Sequence, residues 1–306
     1  MPRWTIDTPT TVNFDGVAAL RVRLISGAVA VLAADETAAK PSVDVAAVSG
    51  QPLLITHEAG ILTVTYEDMT WEGLMGWLRP QRHTATVTIT VPPDCPVQVG
   101  VVNASAVVSG MSARTSVKSV SGEITLDGIT GEIDASTVSG DLEAQGVDGG
   151  IRFKTLSGDL TVADALLGQL DAKTVSGRVT ADFELAPAGS VQAATVSGDV
   201  AIRVPAGTGA RIDLRSASGR VDTAFEHLVT TGNPGPASVT GTLGAADGTM
   251  SVNTVSGSVA LLRRNLPGET GAGRAAGDPG ETADGGPGGM GAARPGSGEG
   301  PEVGDR

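Results

Sequence analysis

An acidic residue follows a Ser-Gly pair, or a near copy of it, at regular places in the second half of the chain. If these copies stack, the side chains form one column, whose carboxylates could bind calcium or a basic surface. The alternative is a solvent-facing column that resists edge pairing, with arginines relieving the repulsion between like charges. The residues at this position are Glu123, Asp141, Asp159, Arg178, Asp199 and Arg220.

Other chemistry has weaker support from the sequence. The calcium-binding nonapeptide needs paired glycines and a fixed aspartate offset that this repeat lacks. A glycosidase would need two carboxylates in a groove with sugar-stacking aromatic residues, and the repeat region offers only Phe153, Phe183 and Phe225. We therefore predict no catalytic, cofactor-binding or metal-binding residue, and a protein that is not an enzyme.

The histidines and the cysteine also lack a reactive pattern. His57, His83 and His227 are not at the spacing of zinc ligands. Cys95 lies between Asp94 and Pro96, with no basic neighbour to lower the pKa of its thiol. As the only cysteine of the chain, it also excludes an intrachain disulfide.

The segment DMTWEGLMGWLRPQRH, residues 68–83, contains two of the three tryptophans. Its apolar residues follow helical spacing, which places an apolar stripe on one side of a short helix. One interpretation is a lid that folds over the rest of the protein. The other is a docking patch for a partner protein or a membrane surface. The residues of this patch are Trp71, Leu74, Met75, Trp77 and Leu78.

The composition limits the class of partner and the location. The net charge of the 306 residues is −13, which argues against nucleic acid because phosphate binding needs a basic stripe. The sequence has no segment typical of a signal peptide and no long apolar span. A cytoplasmic protein without a transmembrane segment is therefore expected.

A repeat of nine residues dominates the region after residue 100. Glycine occurs at positions 122, 131, 140, 149 and 158, each nine residues after the last. The unit reads apolar, Ser/Thr, Gly, acid, apolar, x, apolar, x, x. The alternation in its second half is that of a strand with one buried face, and glycine at this frequency would destabilise a helix. The repeat therefore predicts strands, with three rows of apolar residues that begin at Val120, Ile124 and Leu126.

Two units form one coil, because the fullest copies recur at intervals of 18 to 21 residues between Gly140 and Gly219. Glycine suits the corner of a coil by tolerating positive φ, and serine can bond to nearby backbone groups. The predicted fold is all-β: a parallel β-solenoid (β-helix) of about eight coils, roughly 40 Å long. An N-terminal β-rich cap and a disordered C-terminal tail complete it.

The composition divides the chain into three parts. Residues 1–95 alternate like strands but lack the fixed period, and we predict a β-rich capping region. Residues 96–264 contain the Ser-Gly repeat and form the solenoid. Residues 265–306 are rich in glycine and proline and cannot bury enough apolar surface to fold, so they form a disordered tail.

The units VSGDL, VSGRV and VSGDV, preceded by VTITVPPDCPVQVG, resemble the bacterial putative-adhesin family of β-strand-repeat proteins, the DUF4097 type. Val91, Pro92 and Val97 match the turn that leads into the first coil of that family. The resemblance covers about residues 10–262. It implies a β-solenoid without enzymatic activity, an adhesin-like role and an association with cell-envelope stress.

The leading hypothesis is a non-catalytic structural or interaction protein, with an unidentified protein or envelope component as its partner. One alternative is a self-assembling cytoplasmic scaffold, in which the last coil, near Val255 to Leu261, pairs with the start of another copy. The other alternative is a polysaccharide-active β-helix enzyme. The size of the protein in solution separates the first alternative from a monomer.

The repeat predicts which face of the strands is buried. Ile151 should lie between Ile133 and Leu170 in an apolar ladder, so that Ile151→Asp buries an unpaired charge and strongly lowers the free energy of unfolding. Asp159→Asn, in the exposed column, should cost less than about 1 kcal/mol. Urea unfolding of both variants measures the contrast, and equal stabilities would contradict the assigned inner face.

Overall fold

Every secondary-structure element that the computed structural model describes is a β-strand. The description covers residues 2–34, 40–66, 83–232 and 235–264, and these strands belong to one unit, Met1–Leu266. The strands are β1 (Arg3–Ile6), β2 (Thr10–Asn13), β3 (Ala19–Ala33), β4 (Ser42–Ser49), β5 (Leu53–Glu58), β6 (Ile61–Tyr66), β7 (Thr84–Val91), β8 (Val97–Ser109), β9 (Thr115–Ser121), β10 (Ile124–Asp127), β11 (Thr130–Ser136), β12 (Leu142–Gln145), β13 (Asp148–Lys154), β14 (Leu160–Lys173), β15 (Val179–Thr195), β16 (Val200–Pro205), β17 (Ala210–Ser216), β18 (Val221–Thr223), β19 (Val229–Thr231), β20 (Ala237–Leu243), β21 (Gly248–Thr254) and β22 (Val259–Arg264).

The chain winds between two parallel ladders, which we call sheet I and sheet II. Sheet I runs through β10 and β12, and sheet II through β11 and β13. The long strands β3, β8, β14 and β15 bend, so that each pairs in both ladders. Since each turn of the chain adds one strand to each sheet, the architecture is a β-solenoid, and the all-β, solenoid-like prediction is confirmed.

The core lies between the two sheets. It is built from columns of side chains at equivalent positions of successive coils. Ile151 pairs with Ile133 on one side and Leu170 on the other, and it is only 1% exposed. The predicted ladder is therefore present. Phe153 and Phe183 fill the same interior, which otherwise consists mainly of Val, Leu, Ile and Ala side chains.

The sequence predicted that the first apolar residues of the nine-residue units form one buried row. The structure shows that they do not. Ile129 and Val147 are buried, whereas Val138 and Leu156 are exposed. Alternate units occupy opposite corners of the coil, and at one corner a buried threonine takes the interior place. The apolar residue that follows this threonine therefore points outward.

We call this corner the serine–glycine corner, and a repeated set of hydrogen bonds forms it. In one copy, the N–H of Gly177 donates to Oγ1 of Thr174 at 2.8 Å. Ser176 donates through its backbone N–H (3.0 Å) and its hydroxyl (3.3 Å) to the carbonyl oxygen of Leu156, one coil earlier. The buried threonine therefore shapes the turn, and the serine joins consecutive coils.

Close approach of the backbone requires glycine at this corner, and positive φ, which the sequence predicted, occurs at Gly122 but not at the four copies that follow it. At Gly140, Gly158, Gly177 and Gly198, φ lies outside the left-handed region. A Cβ at Gly177 would lie 1.8 Å from the carbonyl oxygen of Gly158 in the coil below. No side chain fits there, so only glycine allows the coils to stack.

The order of the last coils in space differs from their order in sequence. β22 lies between β16 and β18, and β21 lies between β15 and β17. The expectation that Val255 to Leu261 forms a free end available to another copy is therefore wrong. Instead, β17 carries the hairpin of β19 and β20 through antiparallel pairing with β20.

The strands before residue 96 continue the two ladders and then change direction. β3 pairs in parallel with β8, and β6 and β7 pair in parallel with β3. Beyond them the pairing becomes antiparallel: β4 pairs with β7 and β2 with β4, while β5 pairs with β6 and β1 with β5. The predicted tail, residues 265–306, lies outside the described residues.

Replacement of a corner glycine should disrupt stacking. Gly177→Ala places a methyl group against the backbone of the next coil, and we expect the free energy of unfolding to fall by roughly 3 kcal/mol or more. Gly207→Ala is the matched control, because no atom lies within 4 Å of the added Cβ. It should change stability by less than about 0.5 kcal/mol. Urea unfolding compares the two, and similar losses would contradict the close-packed corner.

Candidate binding face

The predicted charge column lies at the serine–glycine corner and takes part in stacking. Oδ1 of Asp141 accepts the N–H of Asp159 at 2.8 Å, and Oδ1 of Asp159 accepts the N–H of Arg178 at 2.7 Å. Asp199 accepts the N–H of Ser258 in the same way. One oxygen of each carboxylate is therefore occupied by the backbone of the next coil.

The column also has a different order from the predicted one. Ser258 lies between Asp199 and Arg220, because the coil of β22 is inserted there. Glu123 lies next to Asp141, since the backbone of Ile124 bonds to the carbonyl of Asp141. Within the described ranges, no group of three or more His, Cys, Asp or Glu side chains is arranged to hold a metal ion.

The histidines are not brought together. His57 lies on β5 with its ring against Phe14, and His83 precedes β7, where its Nδ1 accepts the N–H of Gln51 at 2.9 Å. His227 lies between β18 and β19. The five residues of the predicted tryptophan patch, Trp71, Leu74, Met75, Trp77 and Leu78, lie outside the described residues.

The thiol of Cys95 is enclosed and only 2% exposed. Its Sγ donates a long hydrogen bond of 3.7 Å to the carbonyl oxygen of Pro96. Burial, and then the charge of Asp94, raise the pKa of this thiol to about 11. The cysteine is therefore a protonated core residue at neutral pH.

The outer surface of sheet II carries a set of cations that the sequence analysis missed. On each strand these residues alternate with core residues such as Val22, Val117 and Phe153, so their side chains point outward. We call this surface the basic face. Its residues are Arg21 and Arg23 on β3, Arg114 before β9, Lys118 on β9, Arg152 and Lys154 on β13, and Lys173 on β14.

A groove crosses the basic face where a glycine separates two cations. Gly100 pairs with Arg23 on one side and Lys118 on the other. Because glycine has no side chain, it leaves the floor of a groove of about 350 Å³, which Arg21 and Gln98 also line. A second groove of about 260 Å³ follows, lined by Arg114, Lys118, Asp134, Arg152 and Lys154 among others.

Asp134, an acid of this face, is engaged by two of the cations. Asp134 bonds to Arg114 and, at 2.6 Å, to Arg152. Partial burial favours a higher pKa for Asp134, but the hydrogen bonds and charges of the two arginines outweigh it and lower that pKa. This carboxylate therefore stays ionised and holds both guanidinium groups in place.

Other cations of the basic face remain available. Within the described part of the chain, Arg23, Lys118 and Lys154 have no ion-pair partner, and Arg21 bonds only to the amide oxygen of Gln98, at 3.3 Å. The aromatic ring of this region, Phe153, points into the core. The face therefore combines unpaired positive charge with shallow grooves, on a chain whose net charge is −13.

Two stacked parallel ladders that repeat one corner define a β-solenoid repeat protein. The chain belongs to the Toastrack DUF4097 family, whose model matches residues 55–262. This match confirms the resemblance identified from the Ser-Gly units. Among the described residues, no helix is long and apolar enough to cross a membrane.

One solved structure is similar to the chain. It is described as a "putative cell adhesion protein" from Clostridium sporogenes ATCC 15579. It is 10% identical, and the match covers 84% of this chain and 100% of that one, with a TM-score of 0.25. A likeness at this level defines neither fold nor function. No curated protein matches the chain.

The buried cysteine should be unreactive in the folded protein. Because its raised pKa keeps the thiol protonated at pH 8, and its surface is covered, we expect Ellman's reagent to react at least about 100-fold more slowly than after unfolding. The measurement compares native protein with protein in guanidinium chloride. Equal rates in the two states would contradict the enclosed position.

Proposed function

We propose that the protein is non-catalytic and acts as an adhesin-like interaction protein, whose basic face binds a linear acidic polymer of the cell envelope. The observation that carries this proposal is the groove between Arg23 and Lys118 over Gly100. It lies on a strongly acidic chain, yet among the described residues three cations, Arg21, Arg23 and Lys118, and no acid line it.

The spacing of the cations suits an extended ligand. Arg23, Lys118 and Lys154 occupy equivalent positions on alternate strands of sheet II, which places them about 10 Å apart. A polymer that crosses the strands meets these charges in succession. Each contact is exposed and weak by itself, so affinity would come from several contacts along one chain.

The chemistry of the face favours a polymer with charged groups along its backbone over a nucleic acid. Single-stranded nucleic acids bind on grooves that combine cations with exposed aromatic rings. The ring of Phe153 is buried beneath the basic face, and Gln98, Ser116 and Ser136 are the uncharged polar side chains that line its grooves. Carboxylate or phosphodiester groups would bind the cations without needing base stacking.

A non-catalytic role is supported by the positions of the acidic residues. In the corner column, one oxygen of Asp141, Asp159 and Asp199 accepts a backbone N–H group. On the basic face, Asp134 is held by two arginines. A glycosidase needs one carboxylic acid that can donate a proton and a second free carboxylate across a substrate groove.

The proposal predicts binding of polygalacturonate, a linear polymer of carboxylated sugars, and none of neutral dextran. Arg21→Gln with Arg23→Gln should weaken binding at least about tenfold, because both cations line the larger groove. Arg178→Gln with Arg220→Gln removes the same charge from the corner column and should leave affinity within about twofold. Isothermal titration calorimetry at 50 mM NaCl measures these differences.

Salt and product analysis complete the experiment. Affinity should fall steeply as NaCl is raised to about 300 mM, because screening weakens contacts between exposed charges. The polymer should keep its chain length and release no new reducing ends. Equal effects of the two double variants, or no binding at low salt, would exclude the basic face as the site, and cleavage would exclude a non-catalytic role.

A further inference from the structure

A column of large aliphatic side chains lies exposed along the serine–glycine corner. Each is the residue between the buried threonine or serine and the serine of the turn. These side chains are between 41% and 55% exposed. We call them the apolar column; in their order in space, they are Val120, Val138, Leu156, Val175, Val196 and Val255, and Ala217 extends the column by one smaller residue.

The column is continuous because consecutive members belong to hydrogen-bonded coils. The backbone N–H of Ser157 donates to the carbonyl of Val138, and that of Ser256 donates to the carbonyl of Val196. The spacing of about 4.8 Å between coils gives a column about 24 Å long. Its exposed apolar surface is on the order of 400 Å², the size at which a patch on a monomer marks an interaction site.

Burial of this corner would leave few polar groups unpaired. The hydroxyl of each serine beside the column already donates to a carbonyl one coil earlier; Ser139 and Ser157 do so at 3.3 and 3.4 Å. At six of the seven coils, the glycine N–H group is bonded to the hydroxyl of the buried threonine or serine; the hydroxyl of Ser119, in the first coil, has no partner among the described residues. Because unsatisfied polar groups are the main cost of removing water, desolvation is inexpensive here.

Charges of opposite sign border the two sides of the column. On the sheet II side, the position two residues before each column residue in the sequence holds four cations and no acid. The cations are Lys118, Lys154, Lys173 and Arg215. On the sheet I side, the position three residues after each column residue holds four acids and two arginines. The acids are Glu123, Asp141, Asp159 and Asp199, and the arginines are Arg178 and Arg220. The corner is therefore an apolar line with a cationic flank and a mainly acidic flank.

We propose that two copies of this chain associate through the apolar column, side by side and parallel, with a two-fold axis along the stacking direction of the coils. This axis brings the cationic flank of one copy opposite the acidic flank of the other. An antiparallel pair, with the axis across the column, would instead bring lysines against lysines. Charge complementarity therefore selects the parallel arrangement.

The charge pattern is complementary as a whole, although not at every coil. At the coil of Leu156, Lys154 faces Asp159 of the second copy, and at the coil of Val120, Lys118 faces Glu123. At the coil of Val175, Lys173 faces Arg178, but Asp159 and Asp199 of the second copy lie one coil away, within the Debye length. A standard interface buries about 800 Å² per partner; the column would contribute about half of that area, and the charged flanks would contribute the rest.

The first test makes the apolar column more polar while it keeps the shape of the side chains. Val138→Thr, Val175→Thr and Val196→Thr combined should raise the dissociation constant of the dimer at least about tenfold. Val107→Thr with Val229→Thr, at exposed valines elsewhere, is the control and should leave the constant within about twofold. Sedimentation equilibrium of the full chain over a range of concentrations gives both values, and thermal melting shows whether the variants stay folded.

The second test determines the orientation. Lys154→Glu should weaken a parallel dimer, because it places a carboxylate opposite Asp159 of the second copy. Addition of Asp159→Lys should restore the dimer, because the two facing charges are again opposite in sign. In an antiparallel dimer, Lys154→Glu would strengthen association. The Val138→Cys variant should form a covalent dimer with a short bismaleimide, since equal positions meet across a parallel two-fold axis. Cys95, which is buried, should not react.

The outcomes decide the proposal. Concentration-dependent dimers that are weakened by the triple threonine variant and by Lys154→Glu support it. A wild-type chain that remains monomeric at several hundred micromolar overturns it, as does a triple variant that melts earlier but dimerises normally. Strengthened dimers in Lys154→Glu, or cross-linking that requires both Val138→Cys and Val196→Cys, would replace the parallel arrangement with the antiparallel one.

Discussion

The distance between hydrogen-bonded strands, about 4.8 Å, is the constraint on which this structure depends. At the serine–glycine corner, the backbones of successive coils approach so closely that a Cβ at Gly158 would lie 1.9 Å from the carbonyl oxygen of Gly140. The polar groups of the corner then pair with the neighbouring coils: the serine hydroxyl donates to the coil below, and Oδ1 of the aspartate accepts an N–H from the coil above. One repeated spacing thus determines which residues can occupy the corner.

The same spacing arranges side chains of equivalent positions in columns on the outer surfaces. A small difference in residue type therefore becomes a long strip when it recurs on each coil. The outer face of sheet II collects unpaired cations such as Lys118 and Lys154, while the corner collects aliphatic side chains and carboxylates. A chain with a net charge of −13 can therefore present a basic surface, because stacking aligns the cations of successive coils on one face.

The two proposed roles use neighbouring parts of this surface in different ways. The basic face offers shallow grooves and exposed charge, which suit several weak contacts with an extended polymer. The corner offers a dry apolar line whose backbone and hydroxyl groups are already bonded, which suits burial against a second copy. Lys118, Lys154 and Lys173 belong to both regions, so association of two copies and binding of a polymer would compete for their charge.

The sequence by itself determined the all-β fold, the family and the buried ladder around Ile151, because the nine-residue period and its alternation are local patterns. Only the tertiary structure decided that Val147 faces the core while Val138 faces solvent, since the two occupy opposite corners of a coil. It also placed β22 between β16 and β18, a choice among equivalent strands that the repeat cannot distinguish. The basic face was visible in the sequence only as scattered lysines and arginines. Pairing across distant strands brought them to one surface, because each strand adopts the register that buries its apolar residues.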